Sequence, residues 1–160
     1  MEKEIVVGVG TYHVAKNPKK LICIGLGSCL AIAIHAPMQH IGALSHAMLP
    51  KYMEGKDKVI PEKYVDTSIY LMVDDMQAMG VKKSAMKAKL VGGAQMFSFI
   101  SPHALDIGRR NIETAKVTLK EEKIPILAED VGGNKGKTIS FDIKSGRILV
   151  CVQGQKKKVI

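Results

Sequence analysis

The sequence predicts a mixed α+β fold, and three observations carry that expectation. Short β-branched segments, punctuated by glycine or proline, cluster towards both ends of the chain. Two stretches with apolar residues at helical spacing lie between them. Strands and helices do not alternate regularly, which sets the chain apart from a parallel α/β protein. Its 160 residues suit one domain, 1–160, and 46% hydrophobic with 24% charged residues is the balance of a soluble globular protein.

The elements follow in order. "EIVVGVG", "TYHVA" and "LICIG" read as strands, short and separated by glycines or by "NPKK". "LAIAIHA" and "IGALSHAML" flank "PMQH" and read as a hairpin with a four-residue connection, 37–40. "MEGKDKVIPEK" is a polar loop. From Tyr64 to Met79, apolar Val65, Ile69, Met72, Met76 and Met79 recur at helical spacing, and Gly80 stops the helix. "AMKAKLVGG" returns to strand character. Ser101 and Pro102 suit a second helix start, with Leu105, Gly108, Ile112, Ala115 and Leu119 on its buried face. The strands "IPILAEDV", "KTISFDI" and "RILVCVQ" complete the chain, with "GGNKG" read as a glycine-rich hairpin turn and the tail "QKKKVI" as solvated.

Composition excludes several classes. No apolar run approaches the ~18 residues a membrane span needs. The start "MEKEIVVGVG" mixes both charge signs and lacks a small-residue cleavage site, so no signal peptide is expected and the cytoplasm is the default location. Cys23, Cys29 and Cys151 are too sparse for a disulfide framework. A net charge of +9 favours acidic partners, although a lysine-rich solvated surface is its commoner meaning. With no tryptophan and few aromatics there is little to stack nucleic-acid bases on. "GGNKGKT" fails as a phosphate loop: Val131 stands where glycine is required, and a strand follows instead of a helix. Cys23, Cys29 and His46 are conceivable zinc ligands, but the spacing is not a zinc knuckle and no compact second pair exists. No metal and no cofactor is expected. A zinc-binding nucleic-acid protein would rest on charge and Cys/His content alone.

The hairpin gives Cys29 a different interest. A connection at 37–40 pairs Ala36 with Ile41, so His46 faces Ala31, two residues along from Cys29. Side chains alternate between faces of a strand, so Cys29, Ala31 and His46 share one face, at a diagonal spacing of roughly 7–8 Å. "GLGS" allows a tight turn whose amide N–H groups converge where an oxyanion would form, and a nearby imidazole activates a thiol. A cysteine buried as a small hydrophobe is nonetheless the commoner outcome, and spacing alone leaves both readings open.

The runs "GLGSC", "SHAMLP", "GGAQMF", "IGRRNI" and "DVGGNKGKTISFDIKSGRILV" occur in the order and spacing of the chemoreceptor glutamine deamidases called CheD, and the chain resembles that family from "VGVGTYHVAKNP" to its last strand. The resemblance implies an α/β/β/α-type cysteine hydrolase sandwich, mixed sheets layered with helices. It also implies that Cys29 and His46 are catalytic, acting on glutamines of chemoreceptor cytoplasmic helices, with the backbone support read above from "GLGS" falling at Gly27 and Ser28. A CheC-type phosphatase is the implied second partner; no nucleic acid is implied, nor embedding in a membrane. Where the family carries a threonine that assists the histidine, this chain has Cys23, a weaker hydrogen-bonding group, so either Cys23 or a backbone carbonyl is left to orient His46. Lys137 stands where arginine is more usual. Cys23 also keeps open an alternative, a catalytically weak module that mainly regulates a CheC-like phosphatase.

Overall fold

This computed structural model describes residues 3–55, 60–96 and 106–160. The first three β-branched segments become β1 (Lys3–Val6), β2 (Tyr12–Lys16) and β3 (Lys19–Leu26). The hairpin forms from β4 (Leu30–Ala36) and β5 (Ile41–Ala47) in the expected register, with Ala36 opposite Ile41 and Ala31 opposite His46. Then come α1 (Val65–Ala78), β6 (Lys87–Gly92), α2 (Asp106–Glu121), β7 (Ile126–Val131), β8 (Lys137–Asp142), β9 (Ile148–Cys151) and β10 (Lys158–Val159).

Four expectations change. The first strand ends at Val6, because Gly8–Thr11 turns back through a Thr11 N–H to Gly8 carbonyl bond. The polar loop contains two short 3-10 turns, Tyr52–Glu54 and Pro61–Lys63, the second opened by a proline whose fixed φ suits that position. The tail contributes β10, with Lys158 opposite Val150 of β9. "GGNKG" is not a hairpin turn, since β7 and β8 lie in different sheets and the glycines carry the chain across. The Ser101–Pro102 start, with Leu105, lies outside the described residues.

One sheet runs β1-β3-β8-β9-β10 and the other β2-β5-β4-β6-β7. Both are mixed, because β1–β3 and β6–β7 pair in parallel within otherwise antiparallel ladders. Every residue of β4 is buried, so its two faces serve two cores. Leu30, Ile32 and Ile34 face Val65, Ile69, Met72 and Met76 of α1 and Ala115 and Leu119 of α2. Ala31 and Ala33 face Leu21, Cys23, Ile139, Phe141 and Val150 of the other sheet. The period-two alternation of a strand thus builds both layers from one sequence. The helices pack on one sheet, and among the described residues the outer face of the other carries no helix, so the layers run helices, sheet, sheet. No described helix is long and apolar enough to cross a membrane.

Candidate active site

Cys29 occupies the short link between β3 and β4, at the edge of the inter-sheet core. The chain leaves Leu26, turns through Gly27 and Ser28, and enters β4 at Leu30. Three successive carbonyls in this link are held from outside it. The Gly27 carbonyl accepts from Ala94 N–H at 2.9 Å, and the Cys29 carbonyl from Gly93 N–H at 2.9 Å. The Ser28 carbonyl accepts from Asn111 Nδ2 at 2.9 Å. Among the described residues, no backbone carbonyl takes the N–H of Gly27, Ser28 or Cys29. Glycine is required at position 92, where φ is +113° and a Cβ would stand 2.5 Å from the Cys29 carbonyl oxygen.

The Cys29 thiol is half-buried. Burial pushes its pKa up, and a hydrogen bond from its own backbone N–H to the thiolate pulls it back.

His46 lies on β5, only 1% exposed. Its ring Nδ1 is 3.2 Å from the Val7 carbonyl oxygen. A carbonyl only accepts, so Nδ1 carries the proton and Nε2 is the basic nitrogen. Nε2 is buried and has no hydrogen-bond partner among the described residues. The backbone of His46 is gripped by the same loop: Gly10 N–H donates to the His46 carbonyl at 2.8 Å, and His46 N–H donates to the Thr11 carbonyl at 2.9 Å. Burial lowers the imidazole pKa, the Val7 bond opposing it, so the ring is neutral. No hydrogen bond joins Cys29 to His46.

Cys23 sits in β3 opposite Ile139, wholly buried in the inter-sheet core. Its thiol is pushed up to about 12, first by burial and then by the neighbouring Cys29 charge. Of the two supports expected for His46, the backbone carbonyl of Val7 holds the ring and Cys23 does not bond to it. Lys137, the other departure, donates to the Asp130 backbone oxygen at 3.0 Å and to Oδ1 at 2.9 Å, clamping the start of β8 to β7. His35 is bound to the Ile143 carbonyl at 2.8 Å, deep in the fold, and His40 is exposed in the hairpin turn. Among the described residues, no three His, Cys, Asp or Glu side chains converge as a metal site would need.

Sequence reasoning passed over Asn111 of α2. It is fully buried, and its Nδ2 donates to both Ser28 O (2.9 Å) and Met48 O (3.1 Å), joining the link before Cys29 to the segment after His46. One signal for it was present. An amide three residues after Gly108 and four before Ala115 interrupts an otherwise apolar and small helix face.

Comparison with known proteins adds four findings. A family model described as CheD chemotactic sensory transduction matches residues 48–151. A Clostridium botulinum protein named probable chemoreceptor glutamine deamidase CheD is 44% identical over 159 residues, covering 99% of this chain and 98% of its own length. A Desulforamulus reducens protein of the same name is 43% identical over 158 residues, covering 98% and 95%. A solved Neisseria meningitidis protein, described as family-model DUF152, overlaps 83% of this chain and 62% of its own at a TM-score of 0.44 and 13% identity.

Proposed function

The chain belongs to the CheD family, and on that premise we propose that it is a chemoreceptor glutamine deamidase, a cysteine hydrolase with Cys29 as nucleophile and His46 as general base and acid. The observation that carries this reading is His46 itself, a neutral buried imidazole whose Nδ1 is tied to Val7 and whose Nε2 has no partner among the described residues. Burying a polar nitrogen unpaired is costly, and such groups recur where a proton must be moved.

Nε2 takes the Cys29 proton, and the thiolate attacks the side-chain carbonyl carbon of a glutamine. The N–H groups of Cys29 and its Gly27 and Ser28 neighbours stabilise the oxyanion. The imidazolium returns its proton to the departing nitrogen, so ammonia leaves and a thioester remains. Water, deprotonated by Nε2, attacks that thioester, and the C–S bond breaks to give glutamate and the free thiol. The steps call on no metal or cofactor. The substrate is the cytoplasmic helical bundle of a chemoreceptor, which places the enzyme in the cytoplasm, and a CheC-type phosphatase is the second partner.

The test is mass spectrometry of receptor cytoplasmic fragments before and after incubation with this protein, with ammonia assayed in parallel. Glutamine-to-glutamate conversion is expected, and Cys29→Ala lowers its rate at least about a thousandfold. Undiminished conversion by Cys29→Ala overturns the assignment. The lack of a Cys29–His46 hydrogen bond favours one other reading, a weakly catalytic module that regulates the phosphatase. Phosphatase binding without turnover on any receptor fragment supports that reading instead.

A further inference from the structure

We propose that Asn111 is a positioning residue of this site: its amide fixes and polarises the Ser28–Cys29 peptide, so that the Cys29 N–H is held as a strengthened donor for the negative charge that forms beside it. The inference rests on Cys29 being the nucleophile and names a residue through which that nucleophile is prepared.

The geometry asks for an amide. Two carbonyl oxygens, of Ser28 and Met48, converge on one buried side-chain nitrogen. An asparagine NH2 supplies two donors from one atom, a hydroxyl supplies one, and an aspartate supplies none at its working ionisation. Asn111 Oδ1 is buried without a partner among the described residues, where the side chain is held by its donors. Reversing the amide would set oxygen against both carbonyls, which fixes its orientation.

The approach of α2 is also built for this contact. A Cβ on Gly108 would stand 2.5 Å from the Ala94 carbonyl oxygen and 2.6 Å from that of Gly93. Glycine therefore lets the helix lie against the segment whose N–H groups hold the Gly27 and Cys29 carbonyls. One turn along, Asn111 reaches the carbonyl between those two. When a peptide carbonyl accepts a hydrogen bond, the N–H of the same peptide becomes a stronger donor. For the Ser28 carbonyl, that N–H belongs to Cys29.

The experiment reads the pH profile of Cys29 alkylation by iodoacetamide in the full chain, followed at the Cys29 peptide by mass spectrometry, together with deamidation kinetics. Asn111→Ala and Asn111→Asp are compared with Leu119→Ala, which lies on the same helix away from the site. The expected result is an alkylation midpoint raised by about half a pH unit or more in both Asn111 variants. Their kcat falls by about tenfold or more with KM nearly unchanged, while Leu119→Ala lowers Tm without moving the profile. A wild-type profile in folded Asn111 variants overturns the proposal. So does an equal shift in Leu119→Ala, which would make Asn111 merely structural. Should Asn111→Ala not fold, Asn111→Ser keeps one donor and is expected to give an intermediate midpoint; a wild-type midpoint there overturns it. If the wild type shows no turnover, the deamidase reading falls, and the alkylation profile, which needs no substrate, still decides the role of Asn111.

Discussion

His46 and Cys23 are both buried titratable groups held in their neutral forms, and they limit stability from opposite sides of neutrality. Burial lowers the folded pKa of His46, and likewise His35, below the unfolded value of 6.5. As pH falls through 6.5, the unfolded chain binds protons that the folded chain refuses, so stability is complete above that pH and lost below it. Cys23 works in the other direction. Its thiol ionises near 9.0 when exposed and at about 12 in the fold, so stability is lost as pH rises between those values. Thermal melts across pH should show a plateau bounded by these windows, and Cys23→Val should flatten the alkaline fall. An alkaline limb unchanged in Cys23→Val would refute the assignment. At this scale the sequence correctly set His46 opposite Ala31, because hairpin register is local. It did not reveal Val7 or the partners of Asn111, since a backbone carbonyl has no sequence signature and the asparagine bonds to links distant in the chain.

The hairpin, β6 and α2 together shape the site, and glycines set how closely they meet. At Gly108 a methyl group would press into the Gly93 and Ala94 backbone oxygens, which are not flexible side-chain ends. Gly108→Ala is expected to cost about 1–3 kcal/mol through this overpacking. Gly136→Ala, whose Cβ would meet only the Leu26 oxygen at an ordinary 3.7 Å, should stay within about 0.5 kcal/mol. Urea denaturation of both variants checks the contrast, and equal midpoints would show that α2 does not need this close approach. The elements themselves were largely readable: two apolar runs flanking "PMQH" marked β4 and β5, and a 3–4 spacing marked α1 and α2. "GGNKG" was misread because a glycine pair signals a turn without saying which sheet the next strand will join. Met79 was placed on the buried helix face, yet α1 ends at Ala78 and Met79 is exposed.

Two cores share the hairpin, one beneath the helices and one between the sheets, so the molecule's stability depends on the β4–β5 layer from both sides. Phe141 of β8 is wholly buried in the inter-sheet core, its ring carbons 3.0 Å from where a Cβ on Gly42 would lie. Phe141→Ala should cost about 3–5 kcal/mol, a large share of a typical domain's 5–15 kcal/mol. A loss below about 1 kcal/mol in chemical denaturation would mean that the sheets do not depend on this contact. Local sequence was sufficient for the α+β class, for most strands and both helices, and for the register that sets His46 opposite Ala31, because each depends on side-chain periodicity or on a short turn. Left to tertiary folding were the division of the strands between two sheets, the grip of the Val7–Thr11 turn on His46, and the reach of Asn111 to Ser28 and Met48. Those contacts join segments between about 35 and 85 residues apart. They form only when burial of both cores offsets the entropy of closing such loops, and no short window of sequence records that balance.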